Sequence, residues 1–160
     1  MRVSQALMIF ATLGAAACLP AAAQDAFDAC TVFTAQDAEK ALGAPAAAEP
    51  VNPKVKRPKT VLGCTYAGAK EGKPVAATAQ FRFLRTADEA GRAFDESRLQ
   101  LQTKPMILSG AEAFWSGKTG QMHVRKGRAW MILSVGPAKV NEREVGDAKK
   151  LAEMLVKKLQ

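Results

Sequence analysis

The stretch "FWSGKTGQMHVRKGRAW", residues 114–130, decides the fold because it places one short strand between two turn signals. Lys126-Gly127 predicts a tight hairpin turn, and Ser116 to Thr119 predicts a longer one. The residues between the turns alternate between polar and apolar side chains, which is the two-residue period of a half-buried strand. Strands joined by hairpins run antiparallel, so this stretch predicts an antiparallel sheet. The alternating residues are Gln121, Met122, His123, Val124 and Arg125.

The same stretch contains Gly117-Lys118-Thr119, which resembles the end of a phosphate-binding loop. A loop of that type needs a glycine five residues before Gly117, where this chain has Glu112. The Glu112 carboxylate would repel the phosphates that the loop must hold. Such a loop also leads into a helix, whereas Gly120 leads into a further strand. We therefore interpret the tripeptide as part of a turn, and we expect no nucleotide or other cofactor.

On both sides of this stretch, helical and strand patterns alternate along the chain. Thr34 is an N-cap signal and Gly43 a stop signal, so a short helix is predicted between them. Thr86 begins a second helix, and a third is predicted over 142–159. The strand patterns, with alternating or continuous apolar residues, cover 60–67, 74–84, 106–115, 120–125 and 128–135.

The predicted order is α-β-β-α-β-β-β-α, with a hairpin wherever two strands are consecutive. This order is typical of an α+β domain. We expect an antiparallel sheet of about five strands with helices packed mainly on one face. Residues 24–160 are the right length for one compact domain with a single core.

The first 23 residues have the pattern of a secretory signal peptide. One basic residue, Arg2, precedes an apolar run over 6–19, and Pro20 and three alanines follow. The apolar run is shorter than the roughly 20 residues of a membrane span. We therefore expect cleavage after Ala23, a periplasmic or secreted protein, and no transmembrane span in the mature chain. Lipid attachment at Cys18 is a minority alternative.

The chain is basic, with 23 Lys and Arg against 15 Asp and Glu. Loss of Arg2 with the leader would leave a mature chain with a net charge of +7. In an exported protein this charge favours an anionic partner, such as an envelope component or an acidic protein. Nucleic acid is not expected as a partner, because the basic residues are scattered rather than interleaved with stacking aromatic side chains.

Two cysteines, Cys30 and Cys64, remain after the expected cleavage. In an oxidising compartment such a pair predicts a disulfide bond. The wide spacing argues against a redox-active Cys-x-x-Cys pair. Two cysteines with one distant histidine also fall short of a tetrahedral metal site, so no metal is expected.

The candidate catalytic residues are few. His123 alternates onto the polar side of its strand, and we interpret it as a solvated histidine. No Gly-x-Ser-x-Gly elbow supplies a nucleophile, so we assign no catalytic residue. The best candidates for a binding surface are two tryptophans, two neighbouring polar residues and the basic residues of a proline-rich loop. These are Trp115, Trp130, His123, Arg125, Lys54, Lys56, Arg57 and Lys59.

The chain resembles small exported bacterial domains of unassigned function at three places. Residues 29–43 are similar to a Cys-x-Leu-Leu-Thr-x-x-[Glu/Asp]-Ala…Leu-Gly signature, with Val32-Phe33 in place of the two leucines. A Cys-x-Tyr motif follows at Cys64, and 110–127 resemble a Gly-x-x-Ala-Phe-Trp segment leading to Val-Arg-Lys-Gly. The resemblance implies an envelope-associated, disulfide-bonded α+β domain. Its layered architecture would be similar to that of exported PsbP-like accessory proteins.

Export, basic charge and the lack of a catalytic motif together favour one class of function. We expect a non-enzymatic periplasmic binding or accessory protein of the cell envelope. The alternative is a periplasmic hydrolase whose active site is assembled only in three dimensions.

Overall fold

The computed structural model describes residues 27–51 and 61–159 of the chain. The expected signal peptide, its cleavage point after Ala23 and the alternative lipid site at Cys18 lie outside these residues. The helices are α1 (Ala29–Val32), α2 (Ala35–Leu42), α3 (Ala87–Gln100) and α4 (Val145–Lys158), with a short 3-10 turn at Val140–Glu142. The strands are β1 (Val61–Lys70), β2 (Lys73–Phe83), β3 (Pro105–Leu108), β4 (Ala111–Ser116), β5 (Gln121–Lys126) and β6 (Ala129–Pro137).

The six strands form one antiparallel sheet in the order β1-β2-β6-β5-β4-β3. The predicted α+β class is therefore confirmed. Both turns of the opening stretch are present: residues 117–120 connect β4 to β5, and a tight turn connects β5 to β6. That tight turn is centred on Gly127-Arg128, one residue later than predicted, because Lys126 still pairs with Ala129.

The sheet has six strands rather than about five, because the segment predicted as one strand over 106–115 is a hairpin. Ser109 and Gly110 both have positive φ, 47° and 78°. Two consecutive residues in this conformation form the kind of turn that reverses an antiparallel pair. Leu108 therefore pairs with Ala111, and β3 becomes a separate edge strand beside β4.

The main core lies between one face of the sheet and helices α1, α2 and α4. Alternate residues of β2 and β6 point into it, and α4 contributes a continuous apolar stripe. Burial of these side chains supplies most of the driving force for folding. None of the described helices is long and apolar enough to cross a membrane. The largest core residues include Phe33, Phe81, Met122, Met131, Leu133, Leu151 and Leu155.

Helix α3 packs on the opposite face of the sheet. It begins at the predicted N-cap, where the Thr86 side chain accepts a hydrogen bond from the Glu89 N–H. It packs on β4, β5 and β6, and it buries two side chains, Ala90 and Phe94. Phe94 joins a second, smaller apolar cluster that is separate from the main core. The sheet is therefore covered on both faces, and by only one helix on this second face.

The first helices are attached to the rest of the fold by a disulfide and a buried ion pair. Cys30 and Cys64 are bonded, as predicted, with their Cα atoms 5.3 Å apart. Thr34 and Asp37 form a capping box at the start of α2. Lys158, at the end of α4, donates to the Asp37 carboxylate and to the Val32 carbonyl oxygen. Burial would raise the pKa of Asp37, but the hydrogen bonds from Lys158 and Thr34 outweigh it and lower the pKa below its ordinary value.

The segment after α2 runs beside the outer edge of β1. The N–H of Ala47 donates to the Ala67 carbonyl oxygen at 2.7 Å, and the N–H of Val51 donates to that of Thr65 at 2.8 Å. This approach requires glycine at position 68, because a Cβ there would lie 2.5 Å from the Pro45 carbonyl oxygen. The basic loop residues Lys54, Lys56, Arg57 and Lys59 follow this segment and lie outside the described residues.

Candidate functional site

The candidate site lies on the face of the sheet that α3 covers, which we call the α3 face. Its first feature is a row of side chains across four adjacent strands. Arg82 of β2 pairs with Trp130 of β6, which pairs with Arg125 of β5, which pairs with Glu112 of β4. Partners in register project to the same face, so these four side chains are consecutive neighbours.

Interactions within the row fix both arginine side chains. The Arg82 guanidinium carbon lies 4.7 Å from the centre of the Trp130 ring, a cation–π contact. Arg125 binds Glu112 through two nitrogens, with its Nε 2.7 Å from Oε2. Arg125 is therefore neutralised, whereas no described carboxylate forms a salt bridge with Arg82.

The second feature is a cluster of rings beside this row on the same face, which we call the histidine cluster. Its members are Phe94, Phe114, His123 and Trp130. The His123 ring stacks on Phe114 with centroids 4.4 Å apart and planes 13° apart. The Trp130 ring lies 5.8 Å from His123 on a neighbouring strand. Phe94 of α3 covers both aromatic rings, at 4.9 Å from Phe114 and 6.0 Å from Trp130.

His123 is not the solvated histidine that the sequence suggested. Its side chain does lie on the predicted side of β5, but α3 covers that side and leaves the residue 4% exposed. Burial, together with the positive charge of Arg82, lowers the pKa of His123 to about 4. The imidazole is therefore neutral at physiological pH.

The structure describes four of the predicted binding residues. It brings three of them together on one face of the sheet and places the fourth on the other face. Trp130, Arg125 and His123 belong to the α3 face. Trp115 is on the other face, where it packs against the main core. The two tryptophans therefore cannot form one binding surface, and Trp130 is 5% exposed rather than an open platform.

Helix α3 lies over Arg125 as well as over the rings. A Cβ at position 91 would be 3.7 Å from the guanidinium carbon of Arg125, an ordinary van der Waals distance, so this part of α3 lies directly above the Arg125 side chain. Phe94, about one turn later, reaches the rings beneath.

A third feature is the set of arginines at one end of the α3 face, which we call the arginine end: Arg82, Arg85, Arg125 and Arg128. The N–H of Leu84 donates to the Arg128 carbonyl oxygen at 3.0 Å, which places the chain after β2 beside the β5–β6 turn. Arg85 and Arg128 are exposed. Arg85 forms an ion pair with Glu89 at 3.9 Å, in which the arginine is solvated and the carboxylate is half-buried. This end of the sheet is therefore rich in positive charge.

Among the described residues, His123 has no neighbour with which it could transfer a proton. A strongly lowered histidine pKa is one property of many catalytic sites. A general base must also reach a nucleophile, but no described residue forms a hydrogen bond with either ring nitrogen of His123. Within residues 27–51 and 61–159, no three His, Cys, Asp or Glu side chains are grouped to hold a metal ion.

Sequence reasoning missed Arg82, Phe94, Phe114 and Glu112 as members of the site. Each had been placed correctly in a strand or helix, but their proximity depends on the strand order, which brings β2 and β5 to either side of β6. One signal could have found the site: Arg82 and Trp130 are a cation and a tryptophan that face the same side of two strands, at equal distances from the turns that join those strands to the rest of the chain. A scan against protein-family models and a search of curated proteins each found no match to this chain.

Proposed function

We propose that this chain is an exported, non-enzymatic binding or accessory protein of the cell envelope. In this proposal the arginine end of the α3 face contacts an anionic component of the envelope. The observation that carries the proposal is that Arg82, Arg85 and Arg128 lie at one end of the sheet, where Glu112 neutralises only Arg125. The net positive charge of the chain supports the same class of partner.

Arginine is well suited to this role because its planar guanidinium binds carboxylate or phosphate oxygens in pairs. Arg128 is exposed and has no salt bridge to a described carboxylate, and Arg82 is half-buried and held by Trp130. Because the Arg82 side chain is already held against Trp130, its binding costs little additional rotamer entropy, whereas the exposed Arg128 side chain would lose its freedom on binding.

Replacing Arg85 and Arg128 by glutamine should weaken binding to anionic vesicles by roughly tenfold or more, because each basic side chain near such a surface contributes about 1 kcal/mol. Co-sedimentation with phosphatidylglycerol–phosphatidylethanolamine vesicles measures this change. Binding should also weaken as salt is raised, since exposed charges are screened.

The matched control is the double variant Lys149→Gln/Lys150→Gln. It removes the same charge from α4, on the opposite side of the sheet, and likewise disrupts only solvated ion pairs. We expect this control to retain most of the binding. Equal losses in the two double variants would mean that net charge alone drives binding, and would contradict an arginine-end contact. No binding of the wild-type protein to the anionic vesicles would exclude a headgroup partner.

A further inference from the structure

Three buried nitrogen atoms of the histidine cluster have no hydrogen-bond partner. They are Nδ1 and Nε2 of His123 and Nε1 of Trp130, in side chains that are 4% and 5% exposed. A neutral imidazole has one donor and one acceptor nitrogen, and an indole has one donor. Buried polar groups in proteins are nearly always hydrogen-bonded. The histidine cluster therefore has hydrogen-bonding capacity that the described residues do not use.

An uncompensated cation borders these nitrogens. Arg82 of β2 lies against the Trp130 ring of β6, His123 is on the strand beyond it, β5, and no described carboxylate forms a salt bridge with Arg82. A guanidinium beside unused N–H donors matches the acceptor oxygens of a carboxylate, because charge-assisted hydrogen bonds are the stronger ones. The neighbouring cation, Arg125, is already bound to Glu112 and is not free for this role.

The cover over these groups is held by few contacts. Of its 14 residues, α3 buries Ala90 and Phe94, and its contacts reach β5 and β6. Elements with few buried side chains open locally at low cost in free energy. Because the Phe94 ring lies between those of Phe114 and Trp130, outward movement of α3 would leave a slot of the size and shape of one aromatic ring.

We propose that the surface beneath α3 binds a small planar aromatic carboxylate. Its ring replaces that of Phe94 between Phe114 and Trp130, and its carboxylate accepts hydrogen bonds from Arg82 and His123. α3 then acts as the lid of this site and Phe94 as its plug. The inference rests on the proposed binding role, but it concerns a small ligand and does not require the envelope partner.

Benzoate is the probe, and its neutral isostere benzamide is the matched control ligand. His123 is the only histidine of the chain, so its two imidazole ¹⁵N resonances in the labelled protein report directly on this site. Benzoate should shift these resonances in a saturable way, and it should bind at least tenfold more tightly than benzamide. No saturable shift up to tens of millimolar benzoate, or equal affinity for the two compounds, would overturn the proposal.

Two substitutions test the roles of the plug and the cation. Phe94→Ala should tighten benzoate binding by tenfold or more, because the site no longer has to open. Phe94→Leu serves the same purpose, with a smaller gain, if the alanine variant does not fold. Arg82→Gln should weaken benzoate binding by at least tenfold and leave benzamide unchanged, whereas Trp115→Phe, on the other face, should alter neither. Unchanged benzoate affinity in Arg82→Gln would refute the assigned carboxylate contact.

The vesicle and benzoate experiments can fail independently. The vesicle test changes Arg85 and Arg128, which the small-ligand site does not use. The benzoate test changes Phe94 and Arg82 and contains no envelope component. Failure of the wild-type protein to bind anionic vesicles would therefore leave the lid proposal intact, and failure to bind benzoate would leave the arginine-end proposal intact.

Discussion

Replacing both Cys30 and Cys64 by serine should lower the melting temperature of the protein by about 10 °C. The disulfide joins residues 34 positions apart, and a crosslink of this span restricts the unfolded chain by roughly 3 to 4 kcal/mol. Leu42 is the only large apolar side chain that the short α2 buries. The disulfide therefore attaches the segment that leads into this helix to β1. Thermal unfolding followed by circular dichroism measures the change.

A reducing agent provides the internal control. It should lower the melting temperature of the wild-type protein by a similar amount and leave that of the double serine variant unchanged. Two titratable thiols from Cys30 and Cys64 in the native protein, or equal melting temperatures for the variant and the wild type, would contradict the predicted stabilisation.

Acidification from about pH 6.5 to pH 4 should cost the protein roughly 3 kcal/mol of unfolding free energy through His123 alone. In the unfolded chain this histidine takes up a proton near pH 6.5, whereas burial and Arg82 hold its pKa at about 4 in the folded protein. Between these values the unfolded state binds more protons, so stability falls as pH falls. Below about pH 4 the folded state is protonated as well, and this contribution stops changing. Urea titrations at a series of pH values measure the loss.

His123→Phe keeps a ring against Phe114 but removes the titrating group. The variant should lose most of the pH dependence between 6.5 and 4. The lowered carboxyl pKa of Asp37 acts in a different window, because the stability it contributes is lost only as pH falls below the ordinary range of carboxyl groups. A folded-state pKa near 6.5, measured on the single histidine resonance, would contradict the prediction.

Local patterns predicted most of the fold. Thr34, Gly43 and Thr86 marked helix ends that the structure reproduces within a residue, because caps act through bonds to neighbours in the chain. The strand pattern over 74–84 correctly located β2, which spans Lys73–Phe83. The β3–β4 hairpin was missed because its turn depends on a positive φ at Ser109, a residue that seldom adopts one.

The site was harder to predict, because strand alternation identifies the side of a residue but not what covers that side. His123 was placed on the correct side of β5, and its environment was wrong because α3 returns over this face. Ala90 and Phe94 give α3 an apolar stripe that must pack against other apolar side chains. The sequence alone was compatible with packing on either face of the sheet. The row from Arg82 to Glu112 requires the strand order, which is a property of long-range pairing.

The backbone pairing of residues 46–51 with β1 has a consequence for self-association. An unpaired strand edge is a template on which a second copy of a chain can add its own strand and begin an aggregate. Here the chain occupies part of that template itself, through the bonds from Ala47 and Val51. The other end of the sheet, β3, offers only four residues and begins with Pro105, which has no N–H to donate. With both edges of the sheet blocked in part, a second copy of the chain finds few free backbone groups on which to add a strand.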